Sequence, residues 1–110
     1  MNMYKRADVL LIKYPFSDPR HAKLRPALVM LDCGDEDVLV AKITSHGARS
    51  PFDVFLRNWK YAGLLFPSVV RLHKMATLEK KLVIRRIGYL GASDLRSIAS
   101  VFRKLWSGYL

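Results

Sequence analysis

The 110-residue sequence is poor in cysteine and in carboxylates, and it has no long hydrophobic run. The single cysteine, Cys33, excludes an intramolecular disulfide and a metal site built from several thiolates. A lone thiol is typical of a reducing compartment, so we expect the protein in the cytoplasm. The first apolar run covers only residues 9–12, and no stretch approaches the roughly 20 apolar residues that cross a bilayer. We therefore expect neither a signal peptide nor a membrane segment.

Negative charge is scarce and unevenly placed. Nineteen lysine and arginine residues outnumber nine aspartate and glutamate residues, which gives a net charge of +10. Four of the nine carboxylates lie together, at Asp32, Asp35, Glu36 and Asp37. The rest of the surface is then strongly positive and attracts polyanions. Nucleic acid is the usual partner of such a surface, with acidic lipid or an acidic protein as alternatives, and solubility alone is the simplest explanation.

Short apolar runs dominate most of the chain and predict one mainly β domain over residues 1–110. The predicted strands cover residues 8–14, 26–31, 38–43, 52–56, 68–72 and 82–90. Between them we expect a loop at 15–23, a hairpin turn at 32–37, a polar loop at 44–51, an irregular segment at 57–63 and one helical turn at 74–79. The adjacent Arg85 and Arg86 cannot both face solvent on a regular strand, which predicts a bulge there.

The apolar spacing changes to a helical period after Ser93. One stripe is formed by Leu95, Ile98, Ala99, Phe102, Leu105 and Trp106. We expect Ser93 as N-cap, Asp94 at the positive end of the helix dipole, and Gly108 at the helix end. The stripe, including Trp106, is expected to pack in the core. The sequence thus predicts a small, curled antiparallel sheet capped by a C-terminal helix.

Familiar catalytic patterns are missing. His21, His46 and His73 lack metal-ligand spacing, so no metal or other cofactor is expected. Glycine-rich phosphate loops and nucleophile elbows are also absent from the sequence. RNA cleavage needs none of these, because the 2′-hydroxyl next to the scissile phosphorus is itself the nucleophile. The protein then has to supply a base, an acid and a cation, and arginine suits the last role.

Several segments together resemble the MazF/PemK/Kid family of toxins. They are KYPFSD at 13–18, KLRPALV at 23–29, VAKITS at 40–45, PFDV at 51–54, GL at 63–64 and PSVVRLHK at 67–74. The resemblance covers nearly the whole chain. It implies an SH3-like barrel, commonly a homodimer, with an RNA groove near the dimer interface. It also implies metal-independent cleavage of single-stranded RNA to a 2′,3′-cyclic phosphate and a 5′-hydroxyl, and an acidic antitoxin whose tail occupies the groove.

The resemblance also implies residue roles. Arg25 matches the catalytic arginine, Thr44 matches the catalytic hydroxyl residue with Ser45 beside it, and Arg71 matches an arginine that some members use. His73 stands where several members have an aspartate proposed as general base, and Leu24 replaces a polar residue. A histidine is chemically able to act as that base. The candidate RNA contacts are Arg20, His21, Lys23, Lys80, Lys81, Arg85 and Arg86.

Each assignment has a structural alternative. Thr44 and Ser45 also suit the capping of a turn, and Arg71 suits an ion pair with Asp53 or Glu79. Trp59 and Tyr61 are candidates for base stacking or, more simply, for packing. Two other functions fit the same features: a catalytically silent nucleic-acid-binding barrel, and a protein-binding module for an acidic partner.

Overall fold

The computed structural model describes residues 3–14 and 23–110. Six strands in this part of the chain form one antiparallel sheet: β1 (Asp8–Tyr14), β2 (Lys23–Leu31), β3 (Asp37–Thr44), β4 (Asp53–Phe55), β5 (Val69–Glu79) and β6 (Val83–Tyr89). The helix α1 (Ala92–Trp106) follows, and short 3-10 helices cover Lys80–Leu82 and Ser107–Tyr109. The predicted class, mainly β with a C-terminal helix, is confirmed. Within the described ranges, no helix combines the length and apolarity needed to cross a bilayer.

The strand order in the sheet is β4-β5-β3-β2-β1-β6. Hydrogen bonds between the described strands leave β4 and β6 as the two edges, so the sheet is curled rather than closed into a barrel. The ladder between β3 and β5 is interrupted by a bulge in β5. There the register with β3 jumps from Lys42↔Arg71 to Ala41↔Met75, which leaves three residues of β5 unpaired with β3. A bulge of this kind bends the strand and increases its twist.

Both faces of the sheet are covered by apolar side chains. On β1, Val9 and Leu10 point to opposite faces, yet each is fully buried. Val9 joins the cluster that packs under α1, and Leu10 joins a second cluster with Val38 and Val40. The central strands therefore appear in the sequence as nearly continuous apolar runs, because neither face is left to solvent.

Four expectations need correction in detail. β2 begins at Lys23, which we had expected in a loop. Residues 74–79 are not a helical turn but the end of β5, because five of them pair with β3. The N-cap of α1 is Gly91 rather than Ser93, and Gly108 lies inside the final 3-10 helix. The predicted bulge is confirmed, since the β1–β6 register shifts on both sides of Arg85 and Arg86.

The helix buries less of its stripe than expected. Ile98 is its one buried apolar residue, and Trp106 is 41% exposed. The buried Asp94 does more than face the helix dipole. Its two carboxylate oxygens accept the backbone N–H groups of Arg57 and Asn58, at 2.9 and 3.0 Å. This contact ties the turns after β4 to the start of α1.

Those turns are pressed against β6 at two glycines. A Cβ on Gly88 would lie 2.3 Å from the carbonyl oxygen of Ala62, and one on Gly63 would lie 2.1 Å from the carbonyl oxygen of Ile87. Gly63 also has φ +85°, which side chains disfavour. The backbone of residues 62–63 therefore covers the edge strand β6 at a distance that only glycine allows.

We predict that Gly88→Ala lowers the free energy of unfolding by about 1–3 kcal/mol, because backbone atoms have to move to admit the methyl group. Gly108→Ala is the matched control, since a Cβ there meets nothing within 4 Å. It should change stability by less than about 0.5 kcal/mol. Urea unfolding followed by tryptophan fluorescence measures both. Equal stability of the two variants would contradict the close approach.

A carboxylate also anchors the N-terminal segment. Asp32 accepts the backbone N–H groups of Tyr4 and Gly34, each at 2.8 Å, and its Oδ1 lies 2.9 Å from Nζ of Lys80. The hydrogen bond with Lys80, followed by that with the Tyr4 backbone, lowers the pKa of Asp32 to about 2. The carboxylate therefore stays ionised in the folded protein well below the pH at which it protonates in the unfolded chain.

We predict that Asp32→Asn lowers the melting temperature by several degrees at pH 7. A depressed folded-state pKa stabilises the protein above the unfolded-state pKa of about 3.9, and the effect disappears as the pH falls toward 2. The difference between wild type and variant should therefore shrink between pH 4 and pH 2 in thermal melts. Asp35→Asn, in the exposed turn, should match wild type throughout. A pH-independent difference for Asp32→Asn would refute the linkage.

Candidate functional site

A cavity of about 350 Å³ opens where β2 and β3 separate. Its lining combines polar residues with apolar walls: Leu11, Leu24, Arg25, Pro26, Ile43, Thr44, Ser45, Gly63, Leu64, Leu65, Phe66, Ser68, Arg85 and Ile87. Three of the five predicted catalytic residues lie in this set, namely Arg25, Thr44 and Ser45. None of the described residues in the lining is a carboxylate, so the field inside the cavity is positive.

Proline explains why the cavity lies at this end of the sheet. Residues 23–26 of β2 pair with β1, but the ladder between β2 and β3 starts only at Ala27. Pro26 has no N–H to donate, so the β2–β3 ladder loses a bond there. Beyond this point β3 keeps only its pairing with β5 on the other side, for example Thr44 with Val69. The strands diverge, and the edge of β2 that carries Arg25 faces the gap.

Arg25 and Thr44 face each other across this gap. The β2–β3 register pairs Ala27 with Lys42, and continuing it by two residues sets Arg25 opposite Thr44. Arg25 is half-buried, Thr44 is 6% exposed and Ser45 is exposed. The Thr44 Oγ1 accepts the backbone N–H of His46 at 3.3 Å, which is the turn-capping role foreseen as an alternative. The O–H proton of Thr44 is not used by this bond and remains able to donate into the cavity.

Arg71 and His73 belong to a second cluster around Asp53. The Arg71 guanidinium contacts the Asp53 carboxylate at 2.6 Å and donates to the carbonyl oxygen of Gly47 at 3.2 Å. His73 Nδ1 lies 3.9 Å from the other carboxylate oxygen. The side chains of Arg71 and Asp53 are 9% and 0% exposed, whereas that of His73 is 31% exposed. Neither Arg71 nor His73 lines the Arg25 cavity.

The predicted RNA-contacting residues are spread over several surfaces. Arg85 lines the cavity, and Lys23 is exposed at the start of β2. Arg86, on the next position of β6, contacts Asp8 at 3.3 Å and lies 5.8 Å from the ring centre of Tyr89. Lys80 is the largely buried partner of Asp32, and Lys81 forms an exposed ion pair with Glu79 at 3.0 Å. Arg20 and His21 lie outside the described residues.

The aromatic residues of the 57–63 segment have separate environments. Trp59 is half-buried and packs against the core cluster under α1, as the packing alternative predicted. Tyr61 is 59% exposed and donates its hydroxyl proton to the Tyr89 hydroxyl at 2.9 Å. This hydrogen bond raises the pKa of Tyr61. Neither residue lines the cavity.

Leu65 and Phe66 also form part of the cavity wall, although neither residue was predicted as part of the site. Both are exposed, at 83% and 63%. The signal in the sequence was a run of three apolar residues between Gly63 and Pro67, in a segment without a strand or helix pattern. Among residues 3–14 and 23–110, no three His, Cys, Asp or Glu side chains are grouped closely enough to hold a metal ion.

Comparison with known families gives one match of almost full length. The model of the PemK-like, MazF-like toxin of type II toxin-antitoxin systems matches residues 5–106. A sequence comparison with curated proteins found no match.

Solved structures share the fold at low sequence identity. Toxin MazF-mt6 of Mycobacterium tuberculosis is 24% identical, covers 91% of this chain and 96% of its own, and superposes with a TM-score of 0.74. An endoribonuclease in complex with its cognate antitoxin, from a mycobacterial species, is 14% identical over 96% of both chains, with a TM-score of 0.74. MazF of Deinococcus radiodurans is 18% identical over 97% of this chain and 99% of its own, with a TM-score of 0.72.

We predict that Arg71→Ala lowers the free energy of unfolding by about 3–5 kcal/mol, since it leaves the buried Asp53 carboxylate without its ion-pair partner. Arg96→Ala, on the exposed side of α1, is the control and should change stability by less than about 0.5 kcal/mol. Urea unfolding of both variants measures the difference. An Arg71→Ala protein as stable as wild type would show that this arginine is free for another role.

Proposed function

Because the chain belongs to the PemK-like, MazF-like family of type II toxins, we propose that it is an endoribonuclease that cleaves single-stranded RNA without a metal ion. The observation that carries the proposal is the shared cavity of Arg25 and Thr44 at the open end of the sheet. A guanidinium and hydroxyl groups line a positive cleft there. This combination suits a phosphodiester whose charge grows during the reaction.

The proposed reaction uses the ribose as nucleophile. The 2′-oxygen forms a bond to phosphorus while the bond from phosphorus to the 5′-oxygen breaks. The products are a 2′,3′-cyclic phosphate and a 5′-hydroxyl. The planar fork of Arg25 is suited to hold two phosphate oxygens as the pentavalent transition state forms. Thr44 and Ser45 donate hydrogen bonds to the same group, and Arg85 holds a neighbouring phosphate.

Proton transfer needs a base and an acid besides these donors. His73 is the residue predicted as base, and the nearby Asp53 carboxylate is suited to orient it. His73 does not line the Arg25 cavity, so this role requires its imidazole to reach the 2′-hydroxyl next to the phosphate that Arg25 holds. Arg71 acts in the proposal through Asp53, as a positioning residue for that cluster.

The charge of the chain supports the proposed partners. With a net charge of +10, the protein attracts both RNA and an acidic antitoxin, which would compete for one surface. One structurally similar mycobacterial endoribonuclease is itself in complex with its antitoxin. We further propose a homodimer in the cytoplasm, with the groove close to the interface between the two copies.

A second candidate function is an RNA-binding toxin fold without catalytic activity. The feature that favours it is the histidine at position 73, where the family resemblance implies an aspartate. Arg71 also favours the inactive candidate, because its guanidinium already binds Asp53 and the Gly47 carbonyl oxygen. Such a protein would bind RNA with a strong dependence on salt and leave it intact.

We predict that Arg25→Ala slows cleavage by about 100- to 1000-fold, because one transition-state donor is lost. The assay incubates the pure protein with labelled single-stranded RNA in the presence of a chelator and identifies the ends of the products. Arg96→Ala removes the same charge from an exposed position on α1 outside the cavity and should cleave like wild type.

The outcomes separate the candidates. Cyclic phosphate ends that vanish in Arg25→Ala support the nuclease. Salt-dependent binding without product supports the silent fold. A protein that neither binds nor cuts RNA yet binds an acidic partner tightly would contradict both. Full activity of Arg25→Ala would remove this residue from the mechanism.

A further inference from the structure

Two of the most exposed apolar side chains in the described part of the chain stand beside Arg25. Leu65 and Phe66 are 83% and 63% exposed and form one wall of the cavity that Arg25, Thr44 and Arg85 also line. An exposed apolar pair beside two arginines is suited to a partner that is both anionic and apolar.

The backbone around Phe66 is held firmly on both sides. Leu64 is 8% exposed, and its N–H donates to the carbonyl oxygen of Trp59 at 3.1 Å. The buried Ser68 donates its hydroxyl proton to the carbonyl oxygen of Phe66 at 2.7 Å, while its own carbonyl accepts the N–H of Leu56 at 3.0 Å. The Phe66 ring is thus presented from a fixed backbone, so a ligand that covers it has little ordering to impose.

We propose that Phe66 is a stacking platform for a nucleobase adjacent to the phosphate held by Arg25, with Leu65 contacting the same or the next base. The inference rests on the proposed function and names the part of the RNA that this wall recognises. Every base has an apolar π-face, and its backbone carries the phosphates that the two arginines attract. The absence of carboxylates among the described residues of the lining fits this occupant, because a polyanion meets no repulsion there.

Base stacking explains why this part of the cavity carries an aromatic side chain, Phe66, rather than a further basic one. Arg25 and Arg85 attract any phosphate, but phosphate contacts alone do not position one nucleotide of the chain over the reacting groups. A base stacked on Phe66 fixes the register of the strand relative to Arg25. The platform therefore acts on the position of the scissile bond, and it tolerates several bases because stacking is largely independent of sequence.

The test measures binding of a 2′-O-methyl single-stranded RNA, which cannot be cleaved, to wild type, Phe66→Ala and Phe66→Tyr. We expect Phe66→Ala to bind about five- to 150-fold more weakly, the loss expected for one stacked base, and Phe66→Tyr to bind like wild type. Phe55→Ala is the matched control. Phe55 is 56% exposed on β4, does not line the cavity, and should be silent.

Two further measurements separate stacking from other effects. The slope of log affinity against log salt should be unchanged in Phe66→Ala, whereas Arg85→Gln should reduce it by about one phosphate contact. In a series of oligonucleotides with one abasic position each, one position should weaken wild type as much as Phe66→Ala does. The same position should have no further effect in that variant.

Three results would overturn the inference. Equal affinities for Phe66→Ala and Phe55→Ala would show that no base stacks there. Unchanged RNA affinity with an altered oligomeric state in sedimentation would show that Phe66 contacts a second copy of the chain. Unchanged RNA affinity with weakened binding of an acidic antitoxin would assign the wall to that partner. If wild type binds no single-stranded RNA at all, the proposed function fails together with the inference.

Discussion

The separation of β2 from β3 at Pro26 is the constraint on which the candidate site depends. A strand that pairs on both sides along its whole length leaves no cleft, since its backbone groups and its side chains are all covered by neighbours. Here the ladder to β3 stops where proline removes a donor, and β3 continues alone beside β5. The exposed edge of β2 then places Arg25 one residue before the proline. Two adjacent residues of β2 therefore build the cleft together. Pro26 ends the pairing with β3, and Arg25 lies in the gap that results.

A second constraint concerns where the negative charge goes. The side chains of Asp8, Asp32, Asp53 and Asp94 are all buried or nearly so, and each accepts at least one backbone N–H group outside a strand ladder. The scarce carboxylates thus hold turns in place instead of balancing the surface. Because these charges are turned inward, the surface is more positive than the net charge alone suggests. The buried position of these aspartates thus has two consequences: the turns are held in place, and the surface attracts polyanions more strongly.

Most of the fold could be predicted from the sequence, because the spacing of apolar residues distinguishes strands from helices and turn residues mark their ends. β1 was predicted at its observed bounds, and the change of period at residue 93 identified the helix. The wrong predictions concern residues whose conformation or burial is determined by tertiary contacts. Residues 74–79 (KMATLE) are mostly good helix formers and suit a helical turn, but pairing with β3 extends them as a strand. Trp106 matched the apolar stripe, yet it is 41% exposed, because an open groove lies between this end of α1 and the sheet.

The site was predictable only in part, for the same reason. Arg25, Thr44 and Ser45 were identified through short motifs, and the structure brings them to one cavity. The separation of Arg71 and His73 from that cavity depends on the bend of β5, which no local pattern encodes. The contribution of Leu65 and Phe66 was missed because exposed apolar residues in a turn have no periodicity to reveal them. These two residues reach the cavity wall because the glycine at position 63 lets their segment pack against β6.

In the proposed mechanism, the Asp53 cluster would let a histidine act as base at position 73, where the family resemblance implies an aspartate. Asp53 Oδ1 is buried and accepts no hydrogen bond, while His73 Nδ1 lies 3.9 Å away. A small rotation of the half-exposed imidazole brings these atoms into hydrogen-bond distance, and catalytic contacts commonly tighten in this way when substrate binds. The carboxylate would then fix the orientation of the ring, with Nε2 directed toward the proton that the proposed reaction removes. In the proposed mechanism the negative charge beside the base is supplied by Asp53 on the neighbouring strand, where Arg71 and two backbone N–H groups hold it.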